Sequence, residues 1–600
     1  MQIFGLQKLL PIFVTQSLRL TACQTYMYKE KTMKKIFCAA IISCLALNAF
    51  AQYGYNVVPF NINDTPKNEV RAVWLTTLAN LDWPKTHATS EYTIEQQKRE
   101  LTDILDKYAA ANINTVLLQT RVRAATIYPS SIEPWDQCIT GQEGGNPGFG
   151  YDPLKFAVDE CHKRGMELHA WIAAIPVGAS KSLGCRMLKQ KGFSIRSYST
   201  GSYVNPADPK TADYLAEICG EITRNYDVDG INLDYIRYPD GWPKPSNRDG
   251  DTPDDRRYNI TKIVKAIHDK VKSIKPWVKI SCSPIGKHSD LSRYSSKNYN
   301  ARERVSQDAQ LWLEKGYMDQ LYPMQYFRGD NYYPFCADWM ENSGGKDVVT
   351  GLGTYFLDPR EGNWTLGELK RQMHVSRSLG MGHAHFRSRF LTDNLQGVYN
   401  FEKEFNSNLA LPPAMTWMGK RKPATPTYDK RLNDLKTIGS DNRVALSWSG
   451  NSPYYNIYAS YDYPVDISDS RNLVFARFSG NSLSFTEKGH HDLHFAVTSM
   501  DRFGNESSAL QEYKASYEEF ESHFIENDGK TLHLSKQAQR IDIDYLEIKS
   551  LSGNTIKRIY PVAKRMQIDI SPFPNGVYTI YGHSKKKDIS HRLGYFIIKR

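Results

Sequence analysis

Between residues 68 and 410 the chain alternates short apolar runs with longer stretches whose apolar positions recur every three or four residues. The short runs are Val70–Leu78, Thr115–Thr120, Glu167–Ile175, Gly230–Tyr235, Val278–Ser283, Gln320–Tyr326, Val348–Tyr355 and Gly382–Phe386. Their length and composition predict strands. Among the stretches between them, Thr93-Ile-Glu-Gln96 reads as a capping box opening a helix with Ile94, Leu101, Ile104, Leu105 and Tyr108 on one side. Asp152-Pro153 starts a second helix that Gly165 ends, and Asp208-Pro209 starts a third that runs to about Asn225. Eight strands with helical crossovers predict an α/β fold, a (β/α)8 TIM barrel over residues 66–415. A doubly wound sheet is the runner-up, but no glycine-rich phosphate turn follows the first strand.

Proline then punctuates the chain from Leu411-Pro-Pro413 to Lys422-Pro-Ala-Thr-Pro426, which predicts a linker over 416–428. Beyond it the period changes to short alternating runs, Arg443–Ser449, Tyr455–Tyr458 and His494–Thr498, with a turn at Asp501-Arg-Phe-Gly-Asn505. Residues 429–516 resemble a fibronectin type III sandwich, with Trp448 as its core tryptophan and Ala496–Ser507 as its closing motif. A small C-terminal β-sandwich is expected over 525–600, similar in general form to the sorting or accessory modules of exported bacterial proteins.

Export is also written at the other end. Met33-Lys34-Lys35, the apolar Ile36–Leu47 and Ala49-Phe50-Ala51 have the three-part form of a secretory signal peptide over 33–51, cleaved near Ala51. Residues 1–32 then read as an upstream extension from an early start codon, and Cys44 loosely resembles a lipoprotein box. No other apolar run is long enough to span a bilayer. Six cysteines follow the cleavage site and none forms a C-x-x-C. Aromatic residues reach 12%, with 37 Tyr and 11 Trp, which suits either stacking on sugar rings or β-rich cores. The net charge of +11 is dispersed, with no nucleic-acid-binding pattern, so a solvated surface or weak attraction to an acidic cell-wall polymer explains it.

Barrel enzymes place their chemistry at the C-terminal ends of the strands, so polar residues there are the candidates. In Gly230-Ile-Asn-Leu-Asp-Tyr235, alternation puts Asn232 and Asp234 on one face, and Asp234 at the mouth is the candidate nucleophile or general acid/base. A bland alternative is a buried acid satisfied by Arg121 or Arg237, while Asp229 at the opposite end of the run reads as structural. Asp82 is the second catalytic candidate. Trp83, Gln119, Arg121, Arg123, Tyr128, Trp135, His169, Trp171, Asn232, Arg237, Gln325 and Tyr326 are candidates for binding substrate. His169, His383 and His385 are the possible metal ligands, but the single His-x-His lacks acidic partners at ligand spacing, so neither metal nor cofactor is expected.

Glu69-Val-Arg-Ala-Val-Trp-Leu-Thr-Thr77, Leu81-Asp-Trp-Pro84, Leu118-Gln-Thr-Arg-Val-Arg123, Tyr151-Asp-Pro-Leu154, His162–Trp171 and Met324-Gln-Tyr326 resemble, in order, the glycosyl-hydrolase-like family 10. The resemblance implies a TIM barrel, export and action on a glycan, with Asp82, Arg121, His169, Trp171, Asp234 and Gln325 in the pocket. Many members carry a second acid directly after the fourth-strand Asp, where this chain has Tyr235. The strand is also similar to the Asp-Gly-x-Asp-x-Asp-x-Glu motif of family 18 chitinases, but the catalytic Glu becomes Ile236, which disfavours that mechanism. The partner carboxylate is left among Asp82, Asp319 and Asp330.

Hydrolysis of an oligo- or polysaccharide by a carboxylate pair including Asp234 is the leading expectation. A non-catalytic glycan-binding protein on a degenerate barrel is the alternative, and a β-module scaffold protein the third. Catalysis is expected to survive removal of residues 420–600. Sugar, linkage, stereochemical outcome and oligomeric state are not legible.

Overall fold

A computed structural model describes residues 65–428 apart from 293 and 295–298, then 436–438, 443–486, 494–511, 525–527, 530–534, 543–550, 554–560, 562, 566–584 and 589–598. The expected upstream extension and signal peptide lie outside the described residues.

Eight parallel strands close into a barrel: β1 Arg71–Leu75, β2 Thr115–Arg121, β3 Glu167–Ala173, β4 Gly230–Asp234, β5 Lys279–Cys282, β6 Gln320–Leu321, β7 Asp347–Leu352 and β8 Gly382–His385. Each pairs with the next in sequence, and β8 pairs with β1, Arg71 beside His383. Helices cover the outer face, so these strands are buried on both sides and read as near-continuous apolar runs. Trp74, Leu117, Trp171, Tyr322, Val349 and Ala384 fill the interior, bulky rings against small side chains. The strands are shorter than the apolar runs. β6 stops after two residues because Pro323 cannot donate to the ladder. Met324 then touches its neighbours only as isolated bridges to Ile285 and Gly351.

The helix expected from Thr93 spans Glu91–Ala110, one turn earlier. Its box is Ser90 with Thr93: the Ser90 hydroxyl accepts from Thr93 N–H, and Thr93 Oγ1 accepts from Ser90 N–H at 2.9 Å. Asp152 and Asp208 cap helices Pro153–Lys163 and Pro209–Asn225, each with Pro at the first position. Among the described residues no helix is long and apolar enough to cross a membrane. The six described cysteines are buried and unpaired with one another.

Beyond the barrel two antiparallel sheets face each other. One holds Arg443–Ser449 and Ser482–Thr486, the other Tyr454–Ser460, Leu473–Phe478 and His494–Met500, with Trp448, Tyr455, Ile457 and Val497 packed between them. A three-stranded and a four-stranded sheet follow, around Leu532, Leu546, Ile548, Ile580 and Phe596.

The sandwich is docked on the N-terminal end of the barrel, a contact that the expectation of a removable accessory did not include. Arg477, left-handed at φ 52, inserts its guanidinium between two acids of the barrel floor, Asp229 and Glu167, the latter at 2.9 Å. Glu167 also accepts from Lys279 at 2.7 Å, and Asp229 from His162 at 2.8 Å and Leu168 N–H at 2.9 Å. Burial alone would raise the Glu167 carboxyl, but Lys279, His169 and Arg477 outweigh it and bring it down to about 2. Asp229 is likewise held low, with Arg477 and His162 overcoming burial. Gly165, left-handed at φ 72, permits the approach, since a Cβ there would lie 2.3 Å from the Ala476 carbonyl oxygen. Lys67–Glu506 at 2.6 Å and Arg502–Asp227 at 2.9 Å add to the seam. The Pro-rich segment is tied down too, through Trp417 to Asp319 at 2.9 Å.

Candidate active site

A cavity of about 740 Å³ opens at the C-terminal end of the strands. Asp234 lines it from the tip of β4, with Trp171 from β3, Gln119 from β2 and Tyr326 from the segment after β6. One wall is a hairpin, Ile195–Tyr198 with Gly201–Val204, which presents Tyr198 and Tyr203. Arg123 and Arg237 come from the loops after β2 and β4, and Phe386 and Arg387 from the end of β8.

Alternation along β4 places Asp234 inward, as expected. Its Oδ2 accepts from the Trp171 indole N–H at 3.1 Å. Tyr235 is left-handed at φ 50, and its own N–H turns back to Asp234 Oδ1 at 2.7 Å. Burial pushes the Asp234 carboxyl up; Arg237 and the two N–H donors pull it back only in part. The group therefore keeps its proton to higher pH than a free Asp, as a general acid requires. The Tyr326 ring packs against Phe386, centroids 5.5 Å apart, and its buried hydroxyl has no hydrogen-bond partner among the described residues. Gln119 Oε1 accepts from the Thr77 and Leu78 N–H groups at 3.1 and 2.8 Å.

Asp240 is the second carboxylate on the cavity wall. It accepts from the Tyr299 hydroxyl and lies 3.7 Å from Arg237. Sequence reasoning missed it. The signal was the Pro239-Asp240-Gly241 turn directly after β4, in a loop type that carries function in barrels. The three acids expected as partners lie elsewhere. Asp82 is buried behind the wall, where it accepts from Thr76 and Arg389 N–H at 3.0 and 3.1 Å and pairs with Arg387, so it orients a wall residue without lining the cavity. Asp319 is on the barrel floor, bound to Lys272 at 2.7 Å. Asp330 sits in the exposed turn Gly329–Asn331, off the wall.

Of the expected binding residues, Gln119, Arg123, Trp171, Arg237 and Tyr326 line the cavity; the others do not. Arg121 is diverted by a bulge in β2 between Gln119 and Arg121 and is fully buried against Glu133 at 2.7 Å. Trp83 is a core residue whose indole donates to Gln97 O at 3.0 Å. Tyr128 donates to Glu221 at 3.0 Å, and Trp135 packs partly buried against the main core. His169 lies lower in the barrel than expected, level with Gly230 rather than Asp234. There it bonds Glu167 at 3.0 Å and occupies the space a Gly230 Cβ would take, 2.7 Å from the ring. Asn232 is enclosed by Ser281 and Ser283, and Gln325 by Thr350 and Cys336. Each had the right strand or loop, but its side chain packs inside the protein and not on the cavity wall.

The histidine pair has an acidic partner that its local spacing does not show. Glu402, from helix Val398–Phe405, bonds His383 Nε2 at 2.8 Å and His385 Nε2 at 3.0 Å. These three buried groups, with ligand atoms within 4.8 Å of one another, could hold a metal ion, on the outer side of β8 and off the cavity wall. Burial would raise the Glu402 carboxyl, but the two imidazoles hold it well below the carboxylate range.

The model of the family described as Glycosyl hydrolase-like 10 matches residues 69–343. Over 494 residues the chain is 28% identical to the protein named Glycosyl hydrolase YngK of Bacillus subtilis (strain 168), covering 75% of this chain and 94% of that one. It is 30% identical over 363 residues to Glycosyl hydrolase DigH of Escherichia coli O6:H1, covering 52% of this chain and 80% of that one. Among solved structures, it is similar to the glycoside hydrolase domain of PgaB (BpsB) from Bordetella bronchiseptica, at 13% identity and TM-score 0.40, covering 58% of this chain and all of that one.

Proposed function

This chain belongs to the glycosyl hydrolase-like 10 family, and on that premise we propose that it hydrolyses a glycosidic bond in an exported setting, within a cell-wall or related polysaccharide. The observation that carries the reading is Asp234: a carboxyl at a strand tip, open to a large cavity, whose burial raises it above the ordinary carboxylate range. Asp234 delivers its proton to the oxygen of the leaving sugar, and Asp240 supplies the second carboxylate. The Tyr326 hydroxyl donates to a substrate oxygen, which would satisfy a group that has no hydrogen-bond partner among the described residues. Tyr198, Tyr203 and Trp171 offer ring faces to the C–H faces of the sugars.

The test is Asp234→Asn, assayed by release of reducing ends from a panel of glycans and peptidoglycan. Turnover is expected to fall by about 10²–10⁴-fold while glycan binding persists. A variant that keeps most of the wild-type rate removes Asp234 from the chemistry. Tyr235 in the place where many members carry an acid favours one second reading, a glycan-binding protein without turnover. Wild-type protein that binds the panel but releases no reducing ends would establish it.

A further inference from the structure

A second groove, of about 510 Å³, runs between the first turns of helices Glu91–Ala110 and Pro153–Lys163. Both helices begin where strand-to-helix loops deliver them, so the groove opens on the same end of the barrel as Asp234. Phe149 stands on its edge, 66% exposed. Its backbone is left-handed at φ 52, between Gly148 at φ 72 and Gly150 at φ 66. That conformation is unfavourable for a bulky residue, and holding an apolar ring in water adds to the penalty. The turn around it stands clear of the other described residues: Cβ atoms built on either flanking glycine would meet nothing within 4 Å.

The groove below combines apolar faces with charged groups, acids in excess. Phe156 and Tyr151 lie along it, with the Lys98 ammonium 5.7 and 5.6 Å from their ring centroids. Tyr151 is buried, and its hydroxyl has no hydrogen-bond partner among the described residues. The lysines are paired, Lys98 with Glu95 at 2.7 Å and Lys155 with Asp159 at 2.8 Å. Glu91 and Asp152 also line it, so four carboxylates face two ammonium groups and the surface is net negative. Such a surface offers acceptors to hydroxyl groups and repels an anionic sugar, and an exposed ring beside it suits the apolar face of a pyranose. The connection from β2 to helix Pro153–Lys163 carries both Arg123, on the catalytic cavity, and Phe149, on this groove.

We propose that the groove is a second saccharide-binding site, which holds an uncharged sugar unit of a polymeric substrate away from the bond being cleaved, with Phe149 as its stacking platform. The proposal rests on the reading of this protein as acting on a glycan. Its test uses the full chain carrying Asp234→Asn, with and without Phe149→Ala, sedimented with insoluble chitin, cellulose and peptidoglycan. On the polymer that the parent binds, Phe149→Ala is expected to weaken retention about tenfold, and Phe149→Trp to restore it. In the otherwise wild-type chain, Phe149→Ala should leave hydrolysis of short soluble oligosaccharides unchanged. Undiminished retention, equal losses on short and long substrates, or a parent that binds none of the polymers overturns the site. Persistent turnover by Asp234→Asn would instead defeat the catalytic reading, and the Phe149 comparison would remain readable because it measures binding alone.

Discussion

Burial raises the Asp234 carboxyl at the expense of stability. A carboxyl whose folded-state pKa lies above its unfolded value weakens the fold progressively as pH rises through that window, because the unfolded chain ionises more readily. Asp234→Asn removes that liability, though its one amide oxygen can accept from only one of the Trp171 and Tyr235 N–H groups. Thermal denaturation should therefore show a Tm that varies less with pH than that of wild type, even as turnover is lost; an unchanged pH dependence would mean that the Asp234 carboxyl is not raised in the folded chain. Tyr326→Phe separates the same two properties. Deleting an unpartnered hydroxyl should leave stability unchanged or slightly raised, while kcat falls about 10-fold or more if the hydroxyl donates in the transition state. Equal kcat would remove Tyr326 from the mechanism. At this scale alternation made Asp234, Gln119 and Trp171 legible, because side-chain direction along a regular strand follows from sequence position. Asp240, Tyr198 and Tyr203 were not legible, because irregular loops carry no such period.

The eight strands could be read from the chain because parallel strands in this architecture are apolar on both faces. Their ends could not. β2 shows why a single irregularity matters: the bulge between Gln119 and Arg121 breaks the alternation that would have kept Arg121 with Arg123 at the mouth. Arg121 instead donates to Glu133 and to the Ala174 carbonyl at 3.0 Å, fully buried, with the Tyr214 hydroxyl on the same carboxylate. Burial would lower the guanidinium, but Glu133 and Tyr214 more than reverse it. Arg121→Met leaves Glu133 buried without its counter-charge. Urea denaturation should register a loss of about 3–5 kcal/mol, and activity per folded molecule should stay near wild type. A stable variant with a selectively raised KM would return Arg121 to the binding residues.

The barrel and the sandwich behave as one electrostatic unit at the floor. Glu167 and Asp229 both have depressed folded-state pKa values, so their contribution is fully present above the ordinary carboxylate range and fades as pH falls towards about 2. Arg477→Ala removes the cation that the two buried acids share, leaving Glu167 to Lys279 and Asp229 to His162. It should destabilise the whole chain by about 3–5 kcal/mol and flatten the acid limb of the stability profile, measured by denaturation between pH 5 and pH 3. The chain cut after residue 415 should fail to give a cooperative thermal transition, against the expectation from the linker composition. An active, cooperatively melting truncation would show that the floor tolerates its own charges. The proline content of the linker was legible; its docking was not, because Glu167, Asp229 and Arg477 are far apart in sequence and meet only in the assembled fold.

The position of Arg477 also imposes an order on synthesis. Every strand of the barrel leaves the ribosome before Arg477, the second cation of its floor, since β8 ends at His385. A nascent barrel, however complete its hydrogen-bonded ring, has only Lys279 on Glu167 and His162 on Asp229 until the next domain supplies Arg477. Chains interrupted between the two domains would carry an unfinished base, a mark by which a proteolytic quality-control system can tell partial products from whole ones.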